Sequence, residues 1–276
     1  MRAAIFLPGN QLAHVMAALQ RQDEVCIADS WDRLETLIRV EPLSVVIFNP
    51  AADGTLDVSR ACRLIRKYGS IPFVAYVPLD APFVRCIAHM ANEGLQDLVV
   101  YRSNDSPLRF RETLLRATSI EELGTLVASL ESGLSRLPHP LAQVLLDILR
   151  QPHKYASAQD IAFAAGMTVS GLYRSFRVAG LRSPKSFLVG ARVFRGYLYL
   201  RDTGFSVRDV ASKLGYTHPR IFSHQIESVL GGPPSKVRRA IKSAEVAGLL
   251  LSWFGVADAS GNGRLRACAA PSEIVA

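Results

Sequence analysis

The chain has 276 residues, enough for two domains of ordinary size with separate cores, which excludes a lone small module. Its net charge of +8 is unevenly shared: residues 1–134 carry 13 Lys or Arg against 16 Asp or Glu, residues 135–276 carry 19 against 8, a net −3 beside a net +11. A split this sharp favours an anionic partner, nucleic acid first, for the second part alone, over merely solvated surface charge.

In chain order, the first part alternates short apolar runs with amphipathic stretches. AAIFL precedes a helix from Asn10, EVCIA a helix entered at Ser30, SVVIF the stretch TLDVSRACRLIRKYG, PFVAYV the stretch PFVRCIAHMANEG, and DLVVY a helix from Ser106. Five alternations of strand with a helix of crossover length predict an α/β domain over residues 1–117. Its core would be a flavodoxin-like, five-stranded parallel sheet covered on both faces. Ser106 followed by Pro107 predicts an N-cap and a first-turn proline. Across residues 118–137, IEELGTLVASLESGLSRL keeps helical apolar spacing; it reads equally as a continuation of the last helix into a signalling or dimerisation stalk and as a linker helix packed on one domain. Pro138 and Pro140 mark a boundary after it.

Residues 156–239 lack strand periodicity and hold a weak repeat: DIAFAAGMT at Asp160 recurs as DVASKLGYT at Asp209. Ser157 and Ser206 stand three residues before each Asp, as an N-cap with an acidic first turn. Ala162 and Ala211 leave room for a crossing helix, and Gly166 and Gly215 supply a tight turn into the next one. Thr168 and Thr217 stand at or beside the start of that next helix. The pairs Leu172 and Phe176, then Phe222 and Ile226, lie one turn apart and face inward.

On these residues, segment 138–242 resembles the DNA-binding domain of the AraC/XylS family of bacterial transcription regulators. The resemblance also rests on the joining stretch SPKSFLVGARVFRGYLYLRDTG with Arg192, and on the closing GGPPSKVRR with Gly231, Pro234 and Arg238. It implies an all-α domain in which one long helix joins two helix-turn-helix units, whose recognition helices enter successive major grooves of double-stranded DNA. Thr168, Ser170, Tyr173, Arg174 and Arg177 are the contact residues expected from the first unit, with Lys185 beyond it. Arg174 is the expected base reader, because a guanidinium can bond guanine O6 and N7 together; a phosphate contact or a solvated charge is the alternative. Thr217, His218, Arg220, Ser223 and His224, with Pro219, form the expected outward set of the second unit. Here an Arg common in the family is replaced by His224 and an aromatic by Ile226, so this helix is expected to position more than to discriminate, with Arg220 as its main reader. Lys185, Arg195, Lys236 and Arg239 are phosphate candidates.

The first domain resembles the receiver fold of response regulators in topology only. Phosphoryl transfer there needs an acidic pair after the first strand, an Asp after the third, a hydroxyl after the fourth and a Lys after the fifth. Leu7 and Pro8, Asn49, Val77 and Tyr101 hold those places, and an amide is no phosphoryl nucleophile. Asp53, near the third strand, reads as opening a turn with Gly54. A receiver-like domain without phosphorylation chemistry is expected, serving dimerisation, partner contact or binding of a small ligand.

Residues 243–256, AEVAGLLLSWFGV within them, read as a last helix packed on its own domain, and 257–276 as a disordered tail. Neither a P-loop, a dinucleotide fingerprint, an HExxH nor a G-x-S-x-G elbow occurs, so no enzyme, catalytic residue or cofactor is expected. The scattered Cys26, Cys62, Cys86 and Cys268 and the spacing of the six His give no metal site. Without a signal segment or an apolar run long enough to cross a bilayer, a soluble cytoplasmic protein with no membrane contact is expected. RNA polymerase and a second copy, through the front domain or the linker helix, are the further expected partners. The competing reading is a protein-interaction adaptor with residual non-specific DNA binding.

Overall fold

In the computed structural model, which describes residues 1–119 and 121–256, the five apolar runs form strands β1 (Arg2–Phe6), β2 (Glu24–Ile27), β3 (Val45–Phe48), β4 (Phe73–Val77) and β5 (Asp97–Val100). All pair in parallel, in the order β2-β1-β3-β4-β5, the doubly wound flavodoxin-like order. Between and after them run α1 (Gly9–Ala18), α2 (Trp31–Val40), α3 (Val58–Lys67), α4 (Ala81–Asn92) and α5 (Pro107–Ala117). The period of two sends Ala3, Ile5, Val45, Ile47 and Val74 to the face covered by Val15 of α1 and Phe110 and Leu114 of α5. Ala4, Phe6, Val46, Phe48 and Ala75 go to the other, against Leu34 and Ile38 of α2 and Leu64 of α3.

Ser30, Asp57 and Asp80 cap α2, α3 and α4, each side chain accepting a backbone N–H three residues on. Ser106 takes the N-cap place of α5 without making that bond, and Pro107 fills the first turn. The expected continuation of this helix is not formed. It ends at Ala117, where the Thr118 hydroxyl donates to Leu114 O at 2.9 Å, and α6 (Glu121–Leu134) starts afresh. Leu123, Leu126, Leu130 and Leu134 of α6 are buried within the chain, on the side of α7 (His139–Arg150) and α14 (Ser243–Phe254). An apolar stripe already filled by its own chain offers no free stalk.

After α7 and a 3-10 turn at Pro152–Lys154 come α8 (Ala158–Ala164), α9 (Val169–Val178), α10 (Pro184–Arg201), α11 (Val207–Lys213), α12 (Pro219–Leu230) and α13 (Pro234–Ala240). α10 is the strut of the helical part, 18 residues long and buried over most of its length among α7, α12, α13 and α14. Glycine permits two of these crossings. An added Cβ would stand 2.4 Å from Phe254 Cε1 at Gly190 and 2.6 Å from Phe222 Cε2 at Gly196. α14 completes this core with Val246, Leu250 and Phe254, and the Trp253 indole donates to Ser186 O at 2.8 Å. No helix among the described residues is long and apolar enough to cross a membrane, and the expected tail at 257–276, with Cys268, lies outside the described residues.

Gly196→Ala gains up to about 1 kcal/mol of helix propensity, yet it must displace the Phe222 ring. The expected net result is a loss of about 1–3 kcal/mol in urea unfolding, with α12 losing amide-exchange protection first.

Candidate nucleic-acid interface

Both copies of the repeat fold by the same local rules. Ser157 and Asp160 form a reciprocal capping box at the start of α8, and Ser206 and Asp209 form one at the start of α11. Each helix ends at a left-handed glycine, Gly166 at φ +64° and Gly215 at φ +79°. In each, the following N–H returns to the carbonyl of the buried alanine, Met167 N to Ala162 O at 2.9 Å and Tyr216 N to Ala211 O at 3.0 Å. The second helix of each pair then starts at once, α9 with Thr168 accepting from Gly171 N at 3.1 Å, α12 with His218 at the N-cap and Pro219 in its first turn. Leu172, Phe176, Phe222 and Ile226 are buried, so α9 and α12 present their opposite faces outward.

On α9 the outward face holds exposed Ser170, Tyr173, Arg174 and Arg177, and Lys185 stands exposed in the first turn of α10. On α12 Arg220 and His224 are exposed, Ser223 and Pro219 partly so, with Thr217 and His218 exposed in the turn before them. Thr168 spends its hydroxyl acceptor on its own helix. The structure thus gathers the expected residues on two helix faces. Arg195 is the exception. It is only 6% exposed and lies with its guanidinium 4.9 Å from the Tyr199 ring, so it cannot serve as a surface phosphate contact; the helical period of α10 carries it into the core. Lys236 and Arg239 are exposed on α13. Arg192 and Arg238 brace the scaffold: Arg192 donates to Tyr155 O at 2.7 Å, and Arg238 to Leu200 O at 2.7 Å and to Phe205 O.

The family model described as a helix-turn-helix domain matches residues 161–240. This segment is similar to that helix-turn-helix family, in line with the resemblance read from the sequence. A curated relative, the Msm operon regulatory protein of Streptococcus mutans serotype c (strain ATCC 700610 / UA159), is 27% identical over 129 residues, 47% of this chain and 46% of the relative. The chain therefore spans about half the length of the curated relative it matches. A solved structure, the N-terminal signal receiver domain of a two-component system response regulator from Bacteroides fragilis, is 23% identical with a TM-score of 0.38, over 44% of this chain and 98% of that one.

The helix-turn-helix domain is joined to the front domain through residues that the sequence reading passed over. Lys213, at the end of α11, is 2% exposed, and its ammonium donates to Ile38 O at 2.6 Å and to Glu41 O at the C-terminal end of α2. Asp202 accepts from Ser70 N at 3.1 Å and from the Ser70 hydroxyl at 2.5 Å, while Gly204 N donates to Lys67 O at 3.1 Å. Tyr68 and Phe205 stack at 4.9 Å, and Arg39 lies 3.4 Å from Asp209. One signal was available for Lys213: it sits one turn after Val210 on the buried face. In the first copy of the repeat its place is held by exposed Ala164.

At the carboxyl ends of the strands, Asn49 is buried with both ends of its amide occupied, donating to Gln11 Oε1 and accepting from Ala51 N, each at 2.9 Å. Asp53 accepts from Thr55 N at 3.2 Å and opens a turn through Gly54 at φ +91°. Among the described residues no cluster of His, Cys, Asp and Glu could hold a metal ion.

Burial, with the charge of Arg195, lowers the Lys213 pKa from its ordinary 10.5 to about 7, so the folded chain binds fewer protons than the unfolded one between those values. Stability should rise with pH across that window and be lost as pH falls through 7. Asp202 acts oppositely, burial raising its pKa from 3.8 to about 6 against the Ser70 bonds, so its contribution is lost as pH rises through 6. Denaturant unfolding at stepped pH should show both limbs, and Lys213→Met should flatten the alkaline one alone.

Proposed function

We propose that this chain is a sequence-specific DNA-binding transcriptional regulator. α9 and α12 enter successive major grooves of one DNA face, and the front domain works without phosphoryl transfer. The observation that carries this reading is the pair of capped, glycine-turned helices mounted on one buried strut, each with its polar face outward, in the half of the chain that holds the net +11. The regulatory name of the curated relative supports the same reading. α9 is the main reader: Arg174 and Arg177 stand free on it with Tyr173 between them, and Arg174 has the fork that fits guanine. α12 carries Arg220 and His224, and it holds the register. Residues 1–117 are the regulatory domain and 138–242 the DNA-binding domain. RNA polymerase is the target of an activating surface, and the front domain is the place for a second copy. Phosphorylation independence is inferred from Asn49, whose amide is no nucleophile and already has a partner at each end.

Selection from random duplex oligonucleotides should enrich one extended motif for the natural chain. Arg174→Ala should relax the choice at one base pair by about 1–3 kcal/mol, whereas Arg220→Ala should weaken all sequences together and lower the salt slope by about 1. Acetyl phosphate should leave the selected motif and affinity unchanged. Binding with no enriched sequence would favour the adaptor reading instead.

A further inference from the structure

A cleft of about 460 Å³ lies where the start of β1, α5, α6 and α7 meet the strut α10. Its walls differ in chemistry. Leu115, Leu123 and Val127 are among its apolar lining, and Arg150 and Arg195 among its polar lining. Arg195 is more than nine-tenths buried, makes no hydrogen bond with the described residues and leaves Nη1 without a partner; the Asp202 carboxylate acts on it only through space. The Tyr199 ring that stacks on it supplies no counter-charge. Arg150, exposed at the cleft, likewise has no bonded partner among the described residues.

The other described charged groups of its lining, Arg111, Asp147 and the Met1 ammonium, each have a partner. Arg111 is paired with Asp23 at 2.5 Å, the lining carboxylate Asp147 accepts from the Tyr155 hydroxyl at 2.8 Å, and nearby Asp202 is held by Ser70. A guanidinium buried without an acceptor is costly to keep, and an anion is what relieves that cost. The volume lies within the range of small-molecule sites.

We infer that this cleft binds a small organic anion, its carboxylate or phosphate on Arg195 and Arg150 and its apolar body on Leu115, Leu123 and Val127. The front domain supplies Leu115 and the strut supplies Arg195, so the ligand bridges the two parts of the chain. Its regulatory meaning rests on the DNA-binding reading above; the binding itself does not.

Calorimetric titration of the full chain without DNA, at constant ionic strength, tests the site with benzoate, phenyl phosphate, inorganic phosphate and benzamide. Saturable one-to-one binding of benzoate or phenyl phosphate is expected, and the tighter of the two identifies the anionic group. Benzamide should not bind. Arg150→Ala and Arg195→Gln should each weaken the preferred anion at least tenfold, Leu123→Asn should weaken the organic anion but not inorganic phosphate, and Arg85→Ala on the far helix α4 should change nothing. The proposal is overturned if neither organic anion binds saturably, if benzamide binds as well as they do, or if Arg150→Ala, an exposed substitution that leaves the core intact, binds like the natural chain. Because DNA is absent, failure here leaves the DNA-binding reading standing, and a failed oligonucleotide selection leaves this site standing.

Discussion

Lys213 carries an ammonium group into a closed junction and sets it on the last carbonyls of α2. A helix C-terminus is the negative end of its dipole, with carbonyls lacking intrahelical partners, so it is among the few apolar-lined places where a buried cation is tolerated. The rings of Tyr199 and Phe205, 5.3 and 5.0 Å from Nζ, close over it. Around this contact lie Asp202 on Ser70, Gly204 N on Lys67 O and Tyr68 on Phe205, and a Cβ at Gly204 would meet the Tyr68 ring at 2.2 Å. The front sheet and the second helix-turn-helix unit therefore share one continuous apolar cluster.

This junction makes the two units of the repeat unequal in mechanics as well as in their outward residues. α11 is pinned by the front domain, whereas α8 ends in exposed Ala164 and carries Phe163 at 89% exposure. Any rearrangement of α2 or of the α3–β4 turn acts directly on α11, and through the buried Phe222–Gly196 crossing it reaches the strut. In the proposed function, a ligand that favours one seating of α2 and α10 over another would supply the differential contact that a switch requires. The Arg195 cleft lies along the same strut, on the side facing α5 and α6.

Much of this was legible in the residues because it is governed by local rules. The parallel sheet followed from five βα alternations, and both helix pairs from a Ser and an Asp three apart and a glycine at the turn, since caps and left-handed turns depend on near neighbours. The break between α5 and α6 was hidden because apolar spacing runs through it unchanged; it is made by where Leu123 and Leu126 find their partners. Arg195 read as a surface charge because Lys and Arg are rarely buried, and only the packing of α10 at the centre of the helical part carries it inside. Lys213 and Asp202 were missed for the same reason: their partners, Ile38 O and Ser70, are more than 130 residues away in sequence.

The central claim is that front domain and helix-turn-helix domain unfold as one unit through the Lys213 junction. The chain carries a natural reporter on each side, Trp31 in the core beside β1 and β3, and Trp253 of α14, bonded to Ser186 O of α10. Guanidinium unfolding followed by the fluorescence of each tryptophan in turn, with the other replaced by Phe, should give coincident transitions in the natural background and separated ones with Lys213→Ala. Transitions already separated with Lys213 in place would contradict the account.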